Sequence, residues 1–173
     1  MPPVRQSIVE LGPLFDEEQC TVLVDWAERR GLSPWPADAE SPALSRCVLE
    51  EAMFAALWPR LAEAIRRALR CKPLRLVSPT VIDRFKAGQR LPPAAGGGIE
   101  CGREPEKALG VVAFLGGACA GGEFICYPHD GPVTVAPTAG TALVYPAFLT
   151  CEDAPVRAGR KYVLRAAIAG AEG

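Results

Sequence analysis

Apolar side chains recur with a helical period near the start of the chain and predict a first helix. The helix begins after Asp16, because Asp16 and Gln19 have the spacing of a capping box. It ends at about Arg30, because Gly31 is suited to the position after a helix. One face carries the apolar stripe Val22, Leu23, Trp26 and Ala27.

A second helical period covers roughly Val48 to Leu69. Its apolar positions follow the i, i+3, i+4, i+7 spacing of a helix lying on a sheet: Phe54, Leu57, Trp58, Leu61, Ile65 and Ala68. Pro59 is expected to start or kink the second part of this helix, because proline donates no backbone hydrogen bond. The N-terminal half therefore predicts two supporting helices.

The C-terminal half consists of short apolar segments separated by glycine and proline. Four of its segments carry distinctive residue patterns: the strand and turn Val81-Ile82-Asp83-Arg84-Phe85-Lys86-Ala87-Gly88-Gln89, the run Pro92-Pro93-Ala94-Ala95-Gly96-Gly97, the turn Gly121-Gly122-Glu123-Phe124, and Pro155-Val156-Arg157-Ala158-Gly159-Arg160-Lys161-Tyr162-Val163-Leu164-Arg165. Each is common alone. Their order and spacing are more specific.

Taken in order, these segments resemble the prolyl 4-hydroxylase-like family of iron- and 2-oxoglutarate-dependent dioxygenases. The resemblance runs from about Val81 to Ala167 and implies an α+β, mostly β fold, a double-stranded β-helix (jelly roll) with N-terminal supporting helices. We expect a single domain over 1–173, with helical support in 1–72 and the β-helix core in 73–169. That core should be antiparallel strands in two facing sheets, with Gly121 and Gly122 in a tight turn. The helices should lie against one sheet.

The resemblance also implies a facial triad of two histidines and one carboxylate around Fe(II), with 2-oxoglutarate as cosubstrate. In this chain the three ligand positions hold Ala94, Gly96 and Cys151. On a strand, 94 and 96 would point to the same side, yet neither carries a ligand atom. We therefore expect no cofactor and no metal at a degenerate site, and no catalytic residues.

The only histidine, His129, lies in Tyr127-Pro128-His129-Asp130-Gly131. This resembles the missing motif, but it follows the Gly121-Gly122 turn, and adjacent strand residues face opposite sides. We predict a polar hairpin turn with His129 exposed. With a single histidine, one chain cannot build a site with two histidines.

The family anchors the far carboxylate of 2-oxoglutarate with a cation about ten residues after the second histidine. Lys161 lies ten residues after Cys151 and Arg160 nine, so both are candidate anion-binding residues, and Lys161 matches better. A buried cation needs a partner. We expect Lys161 to be paired inside the protein by an acid such as Glu123, Glu152 or Asp153.

Seven cysteines are an odd number without a repeated spacing: Cys20, Cys47, Cys71, Cys101, Cys119, Cys126 and Cys151. This favours free thiols and an intracellular, reducing compartment, cytoplasmic rather than organellar. A zinc site from Cys101, Cys119, Cys126 and His129 is an alternative, but its spacings are not those of structural zinc sites.

Composition fits one globular domain. The chain has 173 residues, 49% of them hydrophobic and 23% charged, with a formal net charge of -1. No basic run longer than two residues supports nucleic-acid binding, and no apolar run approaches the roughly 20 residues of a membrane span.

The segment from Leu91 to Leu109 is rich in glycine, proline and charge and is expected to be a mobile or partner-bound loop.

Two functions remain open from the sequence. The first is a catalytically inactive prolyl 4-hydroxylase-like domain that acts as a binding or structural subunit, with protein partners in a larger assembly. The second is an active Fe(II)/2-oxoglutarate-dependent dioxygenase, a hydroxylase of proteins or small molecules, with atypical or partner-supplied ligands.

Overall fold

The computed structural model describes residues 8–35, 44–70 and 74–170. Two helices lie in the N-terminal half: α1 (Glu17–Arg30) and α2 (Glu51–Leu69). Helix α1 matches the sequence prediction, because Asp16 and Gln19 form both hydrogen bonds of a capping box and Gly31 caps the C-terminal end. Neither described helix is long and apolar enough to cross a membrane.

Helix α2 begins three residues later than the pattern predicted, because Val48 belongs to a strand. It also runs as one helix through Pro59. Its buried residues Leu61, Ile65 and Leu69 lie after that proline, so packing against the sheet holds the second half of the helix in place.

Within the described residues, thirteen strands form two antiparallel sheets. The large sheet contains β1 (Val9–Leu11), β2 (Ser33–Pro34), β3 (Ser45–Val48), β4 (Leu74–Leu76), β5 (Val81–Lys86), β7 (Ala108–Gly116), β8 (Cys119–Gly121), β11 (Ala142–Pro146) and β13 (Val156–Gly170). The small sheet contains β6 (Leu91–Ala95), β9 (Phe124–Cys126), β10 (Val133–Val135) and β12 (Thr150–Asp153). This is the mostly β jelly roll that the resemblance predicted.

Strands β1, β2 and β3 were not predicted. They are short and join the large sheet at its two ends, β1 beside β11 and β3 beside β5. The predicted loop from Leu91 to Leu109 is also partly regular, since it contains strand β6, a 3₁₀ turn at Pro105–Lys107 and the start of β7. The glycine and proline content of this segment concealed those elements.

Strand β7 shows how the two hydrophobic cores are divided. Val111, Ala113 and Leu115 face the helices, while Val112 and Phe114 face the small sheet. Because successive side chains of a strand point to opposite faces, the central strands β5, β7, β11 and β13 contribute to both cores. The outer core lies under α1 and α2, and the inner core lies between the sheets.

The turn at Gly121 and Gly122 is confirmed. It joins β8 to β9, and both glycines have positive φ, 76° and 75°. A Cβ at position 121 would lie 2.5 Å from the carbonyl oxygen of Pro155. The glycines therefore allow the turn to lie directly on the start of β13.

Candidate functional site

Four charged side chains are buried between the two sheets, and they form what we call the inner charge cluster: Asp83, Asp153, Lys161 and Arg165. Lys161 and Arg165 are four residues apart on β13, so both point inward with Val163. Asp83 lies on β5 beside β13, and Asp153 lies at the end of β12 in the opposite sheet. The cluster thus joins the two sheets.

Arg165 is at the centre of the cluster. Its Nε donates to Asp83 Oδ2 over 2.8 Å, and its Nη2 donates to Asp153 Oδ2. The Lys161 ammonium donates to Asp153 Oδ1 and, over 2.9 Å, to the carbonyl oxygen of Gly122. Each carboxylate therefore has cationic partners, as buried charges require.

A further cation closes the cluster on the side of β3. Arg46 makes a two-point contact with Asp83, from Nε over 2.7 Å and from Nη2 over 2.9 Å, and its side chain is 11% exposed. Its guanidinium lies 3.9 Å from the ring centroid of Trp35. Inside, Phe85 lies 4.2 Å from the Lys161 ammonium, so aromatic faces supplement the ion pairs.

The environment shifts the pKa values of these groups. Burial alone would raise the pKa of Asp153, but the adjacent Arg165 and Lys161 lower it below its ordinary value. Burial lowers the pKa of Lys161, and the charge of Asp153 opposes that decrease. For Arg165 the two carboxylates outweigh burial, and the pKa is raised. Asp153 and Arg165 are therefore a charged pair at neutral pH.

The positions that the resemblance assigned to iron ligands lie beside this cluster, since Cys151 is two residues before Asp153 on β12. Ala94 on β6 and Cys151 on β12 are directly opposed in register, as two ligands of one metal would be. Ala94 has no donor atom. Cys151 is opposed on its other side by Cys126 of β9, and the two cysteines form a disulfide.

The disulfide corrects the expectation of free thiols for Cys126 and Cys151. The odd number of cysteines and their irregular spacing gave no sign of it, because the pairing arises from strand register and the two residues are 25 apart in sequence. Among the described cysteines, Cys20, Cys47, Cys101 and Cys119 are free thiols. The reducing compartment stays a prediction, and a disulfide is stable in an oxidising one.

Gly96 is not on the strand that the family pattern implies. Strand β6 ends at Ala95, and Gly96, Gly97 and Gly98 follow with φ of 70°, 63° and 76°. A Cβ at position 96 would face Cys101, with Sγ only 2.5 Å away. The expectation that positions 94 and 96 point to the same side therefore fails here, because the chain turns before position 96.

Tyr145 fixes this glycine turn from inside. The buried hydroxyl donates to the carbonyl oxygen of Gly96 over 3.0 Å, and burial raises its pKa above the ordinary value. The Tyr145 ring lies against Gly110, where a Cβ would come within 2.3 Å of it. A Cβ at Gly97 would lie 3.0 Å from the Tyr145 hydroxyl and 3.5 Å from Cβ of Cys151. The space near the metal positions is closely packed.

His129 lies far along the chain from these positions, in the turn between β9 and β10, and is exposed as predicted. Across residues 8–35, 44–70 and 74–170, no group of three or more His, Cys, Asp or Glu side chains could hold a metal ion. The alternative zinc site also loses Cys126 to the disulfide.

Of the two candidate anion-binding residues, Lys161 is buried in the cluster and Arg160 is exposed. Asp153 is the partner of Lys161, one of the three acids named from the sequence. Sequence analysis missed Asp83, Arg46 and Arg165. A weak signal for Asp83 and Arg165 was present, since each is two residues from an apolar inward residue of its strand, Phe85 and Val163 respectively.

These residues do not fit the Fe(II) and 2-oxoglutarate that the fold implies. Ala94 and Gly96 have no side-chain donor atom, and the sulfur of Cys151, at the third position, is already bonded to Cys126. A metal of this type requires three protein ligands on one face. The ammonium that would hold the far carboxylate of 2-oxoglutarate already has a carboxylate partner, Asp153.

Solved structures resemble this chain over nearly its whole length. A viral collagen prolyl hydroxylase from Paramecium Bursaria Chlorella virus-1, in its 2OG complex, has a TM-score of 0.73 at 15% identity, covering 99% of this chain and 100% of that one. An oxidoreductase of the 2OG-Fe(II) oxygenase family from Burkholderia pseudomallei has 0.75 at 19%, covering 96% and 86%. A prolyl-4-hydroxylase from Pseudomonas putida has 0.70 at 14%, covering 96% and 94%.

Neither a protein-family model nor a curated protein sequence matches the chain. At identities of 14 to 19%, the structural likeness establishes the fold alone. The chain has the double-stranded β-helix fold of the iron- and 2-oxoglutarate-dependent oxygenases, prolyl hydroxylases among them.

Proposed function

We propose that this chain is a catalytically inactive domain with the oxygenase fold and that it acts as a binding or structural subunit of a protein complex. The observation that carries the proposal is the state of the three metal positions. Ala94 and Gly96 offer no donor atom, and the sulfur of Cys151 is bonded to Cys126. Restoring a facial triad would need new side chains at all three.

The backbone supports the same proposal. A carboxylate at position 96 would require Cys101 to move, since its Sγ would lie 2.5 Å from the new Cβ. It would also have to adopt a φ of 70°, which costs about 1 kcal/mol or more for most residues with a side chain. The site therefore differs from an iron site in chain path as well as in composition.

The inner charge cluster supports loss of 2-oxoglutarate binding. Lys161 is 1% exposed and its ammonium is held by Asp153 and Gly122. A dicarboxylate would have to displace Asp153, leaving that carboxylate buried with fewer partners, and an unpaired buried charge is costly. Internal pairing thus competes directly with the cosubstrate.

The alternative is an active dioxygenase with atypical or partner-supplied ligands. Two observations favour it: the fold itself, and an inward-facing lysine at the position of the family anchor. It requires a histidine from another chain, because His129 is exposed on a turn away from the cluster.

Metal content and turnover separate these two functions. The purified protein is reconstituted anaerobically with Fe(II), desalted and analysed for bound iron, and succinate formed from 2-oxoglutarate is then measured. We expect iron far below one atom per chain and no succinate above the background without protein. One iron per chain, or steady succinate formation, would sink the proposal of inactivity.

A matched variant tests the reason for this result. Cys126→Ala frees the thiol of Cys151 without changing any of the three metal positions. We expect it to remain without stoichiometric iron, because one soft ligand does not make a three-ligand site. Stoichiometric iron in this variant alone would mean that the disulfide, not the missing donors, prevents binding.

Calorimetry with 2-oxoglutarate, with and without Fe(II), tests the cosubstrate half of the site. We expect no tight binding at Lys161. Tight binding that is abolished by Lys161→Ala and retained in Arg160→Ala would instead indicate an enzyme or a metabolite sensor.

The subunit half of the proposal has its own test. The protein is tagged at its natural expression level, and its size is measured by native gel filtration of the cell extract. We expect elution well above the 18.4 kDa of the chain. Elution as a monomer, with no cross-linked species, would contradict the assembly role while leaving inactivity untouched.

A further inference from the structure

A cleft of about 570 Å³ lies outside the inner core, at the C-terminal end of β13. There β13 is flanked by β4 on one side and by the start of β7 on the other, with Ala169 paired to Arg75 and to Ala108. The volume is that of a small-molecule site. The cleft shares no residue with the inner charge cluster.

The walls of the cleft carry more positive than negative charge. Arg75, Arg103 and Lys107 line it together with a single acid, Glu104. Lys107 is paired with Glu104, Nζ to Oε1 over 2.7 Å. Arg75 and Arg103 form no hydrogen bond or ion pair with another described residue, so among these residues neither guanidinium group has a carboxylate partner.

The floor is apolar. It includes Leu76, Ala108 and Ala169, two of them buried. The one thiol in the cleft, Cys101, adds no negative charge at neutral pH, because burial raises its pKa. Two cations above an apolar floor match a ligand that has an anionic group and an apolar part.

We propose that this cleft binds a small molecule with a carboxylate or phosphate group held by Arg75 and Arg103 and an apolar part lying on Leu76, Ala108 and Ala169. Guanidinium groups bind such oxyanions by paired hydrogen bonds. The inference is independent of the proposed function, because neither Lys161 nor the metal positions line the cleft.

Phenyl phosphate is the probe, since it joins a phosphate to an apolar ring. Titrated into the full chain by calorimetry, it should bind one molecule per chain. Arg75→Gln and Arg103→Gln should each weaken binding about tenfold, because each removes a charge-assisted hydrogen bond. Arg60→Gln, a change of an exposed arginine on α2 away from the cleft, should leave the affinity unchanged.

Inorganic phosphate tests the floor, and it should bind at least several-fold more weakly than phenyl phosphate. Equal affinities would overturn the role of the apolar floor. Absence of saturable binding by phenyl phosphate, or an equal loss in Arg60→Gln and Arg75→Gln, would overturn the site itself. All of these variants change exposed side chains, so we expect them to fold. Circular dichroism before titration checks this.

Discussion

The two faces of the large sheet are buried in different ways, although the same strands supply both. On β13 the outward residues Tyr162, Leu164, Ala166 and Ile168 pack under the helices, whereas Lys161 and Arg165 point into the space between the sheets. The outer face is closed mainly by apolar contact, and its one described ion pair to a helix, between Arg84 and Glu28 of α1, is part-exposed. The inner face is closed by ion pairs as well.

The apolar residues of the outer face are explained by the stability of the fold. The charged residues of the inner face are not explained by stability alone. Buried ion pairs add little net stability, because desolvation offsets their attraction. Apolar burial adds about 25 cal/mol per Å². We interpret the inner charges as a polar site whose charged groups are paired with one another. Asp153 then occupies the place where the carboxylate of a ligand would bind Lys161.

The largest expected effect comes from breaking the centre of the inner face. Arg165→Met removes the cation that joins Asp83 to Asp153. Because two buried carboxylates lose a partner, we expect the free energy of unfolding to fall by about 3–5 kcal/mol. Urea denaturation at pH 7 measures this change in the free energy of unfolding. A loss below about 1 kcal/mol would show that Arg165 does not stabilise the two carboxylates.

A compensated variant sharpens this result. Replacing the whole cluster together with the cation that closes it, with Arg46→Leu, Asp83→Leu, Asp153→Leu, Lys161→Met and Arg165→Met, removes these charges at once and leaves none of them unpaired. Its stability should return close to that of the natural chain. On the outer face, Leu164→Ala should cost about 2–5 kcal/mol, and no change in the cluster should restore it.

The second prediction concerns the disulfide of the small sheet. Replacing both Cys126 and Cys151 with alanine should lower the free energy of unfolding by about 3 kcal/mol, because the bond closes a long loop in the unfolded chain. Dithiothreitol should destabilise the natural chain by a similar amount and leave the double variant unchanged. Equal stability of the natural chain with and without reductant would contradict a formed bond.

The third prediction concerns the loss of stability in acid that Asp153 contributes. The folded pKa of Asp153 is below its ordinary value, so its stabilisation is present above about pH 4 and is lost as pH falls through the folded pKa. The slope from one such group is at most about 1.4 kcal/mol per pH unit.

Unfolding of the natural chain and of Asp153→Asn, measured between pH 6 and pH 2, isolates this contribution. We expect the variant to be less stable at pH 6 and to lose less stability on acidification. Parallel curves for the two proteins would assign the acid sensitivity to other carboxylates.

The smallest expected effect lies on the outer side. Asp16→Ala removes the carboxylate that caps α1 and should cost about 1 kcal/mol. Asp16→Asn, which keeps a capping side chain, should cost much less. The loss should add to that of Arg165→Met, because the cap is remote from the inner cluster, and strong coupling would mean that the two faces are not independent.

Local patterns predicted the two helices, because helical period and capping chemistry are local, whereas the jelly roll was predicted only through the family resemblance. Helix α1 was predicted through its capping box and Gly31, and the turn at Gly121 and Gly122 through its glycines. The short strands β1 to β3 could not be predicted, since strands of two to four residues carry too little pattern and depend on pairing with other strands.

The site was predicted less completely, for the same reason. Lys161 was predicted from the spacing of the resembling family, and Asp153 was one of three acids named as its partner because a buried cation must be paired. The bond between Cys126 and Cys151 and the contact of Arg165 with Asp83 depend on strand register, and the partners are 25 and 82 positions apart in the sequence. A local sequence pattern does not show which residues so far apart in the sequence will be in contact.

The turn at Gly96, Gly97 and Gly98 also limits which substitutions this chain can accept. Its three residues have positive φ, and Tyr145 holds the first of them from inside. An aspartate introduced at position 96 would meet a left-handed backbone and the sulfur of Cys101 while positions 94 and 151 still lacked a histidine. Under the proposed function, that first substitution toward an iron site brings strain without a ligand set, which is an epistatic barrier to gaining one.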